Sequence, residues 1–315
     1  MKPLKNNVNQ GAQMNQQAKR LAVVGECMLE LHECENDTFC MGYAGDVYNV
    51  AVYFSHIAGD TLDVDFITAV GTDRYSNAMM DEWRKHGVRA RHARRIDDRM
   101  AGLYLIETDE IGERDFHYYR SEAAARHMFD GEEGAVLLNQ LAKYDYVYFS
   151  GITLAILHNE CRDKFLAKLA ELKNCGVIIC FDTNYRSKLW PSREVAQTFF
   201  NLAMSFVDIA LPSFTDINHL FGDTDLASCA DRFLEAGAKK VILTDGDKSY
   251  MIATADKQTL HPVTAVSAVD TTGAGDSFNG AYIAAIMQGD SDEVACEKAA
   301  TLAGEVVQHR GAIIY

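Results

Sequence analysis

Positive charge is in short supply in this chain. Thirty lysines and arginines stand against 45 aspartates and glutamates, a formal net charge of −15 over 315 residues, with a pI near 5.1. A surface this acidic repels phosphate backbones and argues against a nucleic-acid partner. It also repels small anions, except where arginines gather locally. No apolar run approaches the roughly 18 residues that a membrane span requires, so no membrane partner is expected. The first twenty residues are rich in Asn and Gln and lack the apolar segment of a signal peptide; residues 1–19 read as a disordered tail. None of the eight cysteines belongs to a C-x-x-C pair. That argues against a zinc ribbon and for core thiols in a reducing, cytoplasmic setting. The ten histidines show no H-x-x-x-H or comparable spacing, so no protein-held metal is expected. G-x-x-x-x-G-K-[ST] is absent as well, which excludes a P-loop as the phosphate cradle. Beyond residue 20 there is no Pro/Gly/Ser linker, repeat or low-complexity block.

What is present is an α/β rhythm. "RLAVVGE" (20–26), "VDFITAVG" (64–71), "YDYVYFSG" (144–151), "VIICFD" (177–182), "VDIALP" (207–212) and "KVILTDG" (240–246) are short apolar runs ending in Gly, Asp or Pro. Helical patterns lie between them, as in "RDKFLAKLAELKNCG", where Phe165, Leu166, Leu169 and Leu172 share a face and a glycine follows. Strands alternating with helices predict a mostly parallel sheet with ligands beyond its C-terminal strand ends. "AGLYLIETDEIGERDFHYYR" (101–120) breaks the rhythm and reads as a β-hairpin with a five-residue loop at 109–113. Together with the stretch near 28–44 it predicts a small second sheet inserted on one main domain, residues 20–315, with lid strands from about 28–44 and 95–120.

"DTTGAGDSFNG" (270–280) carries the most chemistry. Gly273, Ala274 and Gly275 before a helix place free backbone N–H groups at a positive helix end, a ready anion hole. Asp276, in the first turn, is positioned to take the proton of a hydroxyl attacking a phosphoryl group. In the hairpin, the register puts Tyr104 opposite Tyr118, with Arg120 on the same face and His117 facing away. Asn184 and Arg186 follow a strand end. Two arginines converging on one pocket in an acidic protein call for an anionic substrate, because guanidinium forks suit carboxylates. Glu26 and Glu30 line the pocket or are solvated. The basic stretch "DEWRKHGVRARHARR" reads as a helix end and loop.

The string Asp270 to Asp276 resembles the C-terminal signature of the ribokinase-like (pfkB) carbohydrate kinases, and the resemblance runs from about residue 20 to the end. It implies a ribokinase-like fold, a central mostly parallel sheet flanked by helices with a β-sheet lid. It also implies that Asp276 is the catalytic base and that Gly273, Ala274 and Gly275 form the anion hole. "AGDVYNVAV" (44–52) resembles the glycine-rich signature that shapes the sugar pocket, with Ala44-Gly45 in place of Gly-Gly and with Asp46 and Asn49 beside it. "LTDGDKS" (243–249) resembles the nucleotide-binding strand and turn, with Thr244 and Gly246 in place and Ser249 replacing a glycine. In "PSFTDINHLFG" (212–222), Ser213 falls on the nucleotide side. Ser213 and Asp216 stand where many members carry N-x-x-E, so Asp216 is not expected to serve a metal.

Within that family, "GECMLEL", "GLYLIETDEIGERDFHYYRSEAAA", "YVYFSGITLAIL", "FDTNYRSKLW" and "QHRGAII" are similar to the 2-keto-3-deoxygluconate kinases. The resemblance implies that Gly45, Tyr104, Tyr118, Arg120, Asn184 and Arg186 contact the sugar acid. It implies ATP as donor with Mg2+ on its phosphates, a monovalent cation such as K+ as a further candidate, and a homo-oligomer formed through the lid sheet. A fructokinase-like neutral-sugar kinase and a non-catalytic sugar-acid sensor on the same fold remain the alternatives.

Overall fold

The protein is described by a computed structural model covering residues 18–34, 38–108 and 114–315. All but the last two residues of the expected tail lie outside the described residues, as does the 109–113 loop.

In chain order the strands are β1 (Arg20–Val24), β2 (Met28–Glu33), β3 (Phe39–Ala44), β4 (Asp63–Ile67), β5 (Ala69–Val70), β6 (Arg94–Arg95), β7 (Leu103–Thr108), β8 (Arg114–Tyr119), β9 (Tyr146–Ser150), β10 (Ile178–Asp182), β11 (Ile209–Leu211), β12 (Lys240–Asp245), β13 (Ser249–Ala253) and β14 (Gln258–Pro262). The helices are α1 (Asp46–Ala58), α2 (Arg74–Lys85), α3 (Gly131–Gln140), α4 (Gly151–Ile156), α5 (Asn159–Asn174), α6 (Arg193–Met204), α7 (Phe214–Phe221), α8 (Leu226–Ala236), α9 (Ala274–Gln288) and α10 (Asp292–Val306).

Eight strands form one sheet in the order β14-β13-β12-β11-β10-β9-β1-β4. It is parallel from β4 to β12, and β13 and β14 close it antiparallel. The parallel strands are apolar on both faces because helices cover both; every residue of β9 is buried. One face packs Phe165 of α5, Phe200 of α6 and Phe233 of α8. The other packs Tyr48 and Phe54 of α1, Trp83 of α2 and Ala284 of α9. The α9 helix is buried nearly all round, which explains why its sequence is apolar without a polar stripe.

The second sheet has the order β3-β2-β7-β8. The hairpin pairs in the register that a loop at 109–113 predicts, Tyr104 opposite Tyr118, and β2 joins β7 in parallel. Two boundaries differ from the sequence reading. The small sheet takes up the chain at Leu103, not near 95. "VDFITAVG" is two strands, because the chain turns at Thr68 and β5 pairs with β6 instead of continuing the large sheet; Arg94 N–H donates to the Thr68 carbonyl at 2.9 Å. The cysteines also hold an exception to the free-thiol reading. Cys27, Cys161, Cys180, Cys229 and Cys296 are buried free thiols and Cys175 is exposed, but Cys34 and Cys40 are joined as a disulfide at the β2–β3 end.

The basic stretch after α2 is consumed locally. Arg91 grips the buried Asp65 through two bonds of 2.6 and 2.9 Å, Arg89 pairs with Asp63, and Arg95 donates to Asn77 at 2.6 Å.

Candidate active site

The C-terminal ends of β1, β9 and β10, the start of α1 and the start of α9 converge on one crevice. Gly273, the N-cap of α9, has φ 79°, a left-handed conformation that suits glycine; a Cβ there would also meet the Ala312 carbonyl at 2.5 Å. Asp270 braces the loop: it accepts from the Thr272 N–H at 3.0 Å, the Thr272 hydroxyl at 2.7 Å and the Gly311 N–H at 2.8 Å. Gly275 differs from Gly273, since nothing lies within 4 Å of the place its Cβ would take. The protein leaves open space where a side chain at this position would stand.

Asp276 follows in the first turn of α9. Its Oδ2 accepts from Asn49 Nδ2 at 2.8 Å. This contact depends on close helix packing one turn further on: a Cβ on Gly280 would stand 2.7 Å from the Val50 carbonyl, so α1 and α9 cross almost backbone to backbone. At the start of α1, a Cβ on Gly45 would fall 2.3 Å from the Glu26 carbonyl, which explains the retained glycine in "AGD". Burial first, then the neighbouring Asp46 carboxylate, push the Asp276 carboxyl up to about 7, against the opposing effects of Asn49 and Arg186.

Past the end of β10 the chain turns through Asn184, at φ 26°, a conformation asparagine tolerates better than most residues. Its side chain donates to Asp46 Oδ2 at 3.0 Å and its backbone N–H to Asp182 Oδ1 at 3.1 Å. Asp182 is held well above the usual carboxylate range by burial and by the charges of Asp276, Asp46 and Asp216. Its Oδ2 accepts from the Tyr148 hydroxyl at 3.2 Å, which in turn accepts from Asn279 Nδ2 at 3.2 Å.

The sequence reading missed what Asp216 does here. Asp216 Oδ2 accepts from the Tyr185 N–H at 3.1 Å, and its other oxygen lies 3.7 Å from Arg186 Nη1. It anchors the 183–186 turn and steers Arg186, whose side chain is 56% exposed and free to meet a ligand.

The small sheet supplies the facing wall. The rings of Tyr104 and Tyr118 lie 5.7 Å apart, and the Arg120 guanidinium sits 5.8 Å from the Tyr118 ring centroid. Tyr104 is buried and donates to Glu30, while Tyr118 is 52% exposed. Tyr118 feels both Arg120 and Arg186, so the wall faces the β10 turn. His117 points away and bonds Glu107 at 3.0 Å. Arg120 is not the free cation that the sequence suggests. It is buried and paired with the buried Glu26, whose carboxyl is raised by burial with Arg120 opposing. Arg120 Nε and Glu26 Oε1 are buried without a hydrogen-bond partner among the described residues. Glu26 and Glu30 thus both act on the wall side chains, and neither is merely solvated.

A second group lies at the ends of β11 and β12. Ser213, the N-cap of α7, bridges to Thr244, and the Thr244 N–H donates to the Pro212 carbonyl at 3.0 Å. Gly246, at φ 57°, makes the β12–β13 turn. Ser249 does not disturb it; it stands in register opposite Asp245.

An α/β crevice with a glycine-rich helix start, a carboxylate in its first turn and a β-sheet wall has the form of a phosphotransferase site for small hydroxyl compounds. Comparison with known proteins is specific: residues 18–315 match the model of the pfkB family carbohydrate kinases, and the chain belongs to that family. It is 39% identical over 303 residues to the 2-dehydro-3-deoxygluconokinase of Escherichia coli K12, covering 94% of this chain and 97% of the relative. The Dickeya dadantii enzyme of the same name is 37% identical over 302 residues, with 94% and 97% covered. By contrast, the probable fructokinase-5 of Arabidopsis thaliana is 28% identical over 253 residues, covering 80% and 76%. The crystal structure of a 2-dehydro-3-deoxygluconokinase from Thermotoga maritima superposes with a TM-score of 0.79 at 24% identity, covering 94% and 96%. Among the described residues no helix is long and apolar enough to cross a membrane.

Proposed function

We propose that the chain transfers the γ-phosphoryl group of ATP to the terminal (6-) hydroxyl of 2-keto-3-deoxygluconate, giving 2-keto-3-deoxy-6-phosphogluconate. The observation that carries the mechanism is Asp276, held by Asn49 next to Gly275, whose side-chain position is open space. With its carboxyl near neutrality, Asp276 accepts the proton of the attacking hydroxyl as the O–P bond forms. The amides of Gly273 to Gly275 and the positive end of α9 take the charge on the transferring phosphoryl oxygens. ADP leaves from the side of Ser213, Thr244 and Gly246. Gly45, Asp46, Asn184 and the Tyr104–Tyr118 wall hold the sugar chain, and Arg186, with Arg120 behind it, receives the carboxylate. When bound with ATP, Mg2+ would supply positive charge to offset that on the phosphates. Such hard cations take oxygen ligands and commonly only one or two carboxylates. The mutual repulsion of Asp46, Asp182, Asp216 and Asp276 suits a site that receives one, and no protein ligand is assigned to it.

Three further parts of the reading go with it. A cytoplasmic setting is supported by five buried free thiols. A homo-oligomer through the small sheet is supported by the sheet's other face, where Phe39, Met41 and Tyr119 are exposed. A monovalent cation such as K+ is a candidate activator. A coupled ATP-consumption screen over aldonic acids, keto-sugar acids and neutral sugars tests the substrate. 2-Keto-3-deoxygluconate should give the highest kcat/KM, with phosphorus NMR placing the new ester on the terminal carbon. A preference for fructose would make the chain a neutral-sugar kinase, and tight sugar-acid binding without turnover would make it a sensor.

A further inference from the structure

Outside the crevice, three side chains with metal-ligating atoms, His127, His158 and Cys161, gather around the carboxylate of a fourth, Asp130. His127 ends the short turn Ala124–His127, and Asp130 is the N-cap of α3. His158 is the N-cap of α5 and Cys161 lies in its first turn. Asp130 is the hub: its Oδ2 contacts His127 Nδ1 at 2.7 Å, and its Oδ1 contacts His158 Nε2 at 2.6 Å and Cys161 Sγ at 2.8 Å. Cys161 Sγ is 3.5 Å from His158 Nε2. The sequence spaces the four as H-x-x-D and H-x-x-C, two i,i+3 pairs brought together by the fold.

We propose that His127, Asp130, His158 and Cys161 form a tetrahedral Zn2+ site that clamps the start of α3 to the start of α5. The donor set is borderline-soft, two imidazoles, a thiolate and a carboxylate, which is the chemistry zinc selects. Zinc ligands at the usual 2.0–2.3 Å would stand roughly 3.3–3.7 Å apart, so the three contacts to Asp130 need lengthen by about 1 Å or less, with Cys161 and His127 drawing in from either side of the carboxylate. Binding replaces the thiol's hydrogen bond: the Cys161 S–H proton passes to solvent and a Zn–S bond forms. Two neutral imidazoles, one thiolate, one carboxylate and Zn2+ sum to zero charge, which suits a half-buried position.

The frame is rigid without the ion. Arg94 Nη1 donates to the carbonyls of His127 and Asp130 at 3.0 and 2.7 Å, fixing the H-x-x-D turn. Phe129, inside that turn, stacks on Phe165 of α5 with ring centroids 5.5 Å apart, which fixes the two motifs relative to each other. A Cys–His–Asp catalytic relay does not fit, because His158 meets both Asp130 and Cys161 through the same nitrogen, Nε2, and Cys161 is fully buried.

The test uses the full chain stripped with a chelator, in a Cys34→Ser/Cys40→Ser background. That background removes the Cys34–Cys40 disulfide, whose sulfurs on reduction would offer a second set of thiolates beside His32. Titration with Co2+ should give one equivalent bound, with tetrahedral d–d bands and a thiolate-to-cobalt charge-transfer band, all displaced by Zn2+. Cys161→Ser should abolish the charge-transfer band. His127→Gln should weaken Zn2+ binding by more than the roughly 10- to 100-fold typical of losing an outer partner. His127 is partly exposed, so that variant stays informative if the buried cysteine variant misfolds. Zn2+ should raise the Tm of the background protein and not that of His127→Gln. Absence of stoichiometric Co2+ binding, or a charge-transfer band that survives Cys161→Ser, overturns the site.

Discussion

Asn49 Nδ2 and Asp276 Oδ2 meet at 2.8 Å across the α1–α9 contact, joining the start of one helix, after Gly45, to the Gly273–Gly275 start of another. The bond favours the charged carboxylate, while burial and Asp46 oppose it. The balance leaves the carboxyl near 7, where a base is both available and strong enough to work.

Asp276→Asn should therefore leave ATP and sugar binding largely intact and lower kcat by about 100- to 10,000-fold. In the unsubstituted protein kcat/KM should fall as pH drops through about 7, with the residual activity of the variant lacking that limb. Stability should move the opposite way. A carboxyl raised from 3.8 to about 7 is penalised in the folded state once ionised, so the penalty is absent at low pH and builds across that window. Asp276→Asn should raise the Tm of the ligand-free protein at alkaline pH and not in strong acid. Unchanged turnover would remove the base assignment.

Asn49→Leu takes away the donor that favours the charged form. The acid limb of the kcat/KM profile should shift to higher pH, with activity lost below neutrality and partly regained in alkali. A uniform loss at every pH would mean that Asn49 only shapes the pocket.

Gly275→Val places bulk where the protein itself has none. The fold should survive with Tm little changed while kcat/KM collapses, because the added methyls occupy the phosphoryl position. Gly273→Val should instead unfold or markedly destabilise the chain, since its left-handed backbone and the nearby Ala312 carbonyl both reject a side chain. Full activity in Gly275→Val would show that these amides do not cradle phosphate.

Arg186→Ala should raise KM for 2-keto-3-deoxygluconate with little change in kcat. A charge-assisted hydrogen bond contributes about 1.5–3 kcal/mol, or roughly 10- to 150-fold, and the carboxylate is held alike before and during transfer. A neutral sugar of similar length should lose far less. Arg120→Ala carries a second penalty, because it leaves Glu26 buried and unpaired, a loss of about 3–5 kcal/mol in comparable cases. Its Tm should fall sharply, and Glu26→Gln added to it should recover much of that stability without restoring KM. Equal losses on charged and neutral substrates would assign the arginines to the fold.

Much of this was legible in the chain because it is local. The period-two alternation of 101–120 fixed the faces of the hairpin, and a five-residue loop at 109–113 set its register, Tyr104 opposite Tyr118. Apolar runs ending in Gly or Asp marked the strands, and the run from Asp270 to Gly280 marked the helix start and its carboxylate. Each follows from backbone geometry over a few residues.

Partnerships between segments far apart in sequence were decided only in three dimensions. Nothing local pairs Arg120 with Glu26, sets Asp216 beneath Arg186, or turns the chain at Thr68 into a second ladder. Nor does either i,i+3 pair announce that His127 and Asp130 will meet His158 and Cys161. The sequence determined which side chains could carry charge, donate or ligate, because that is covalent chemistry and short-range conformation. The tertiary structure decided which of those groups neutralise one another and which face the crevice, because burial and Coulomb interactions depend on distance through space, and only packing sets that distance.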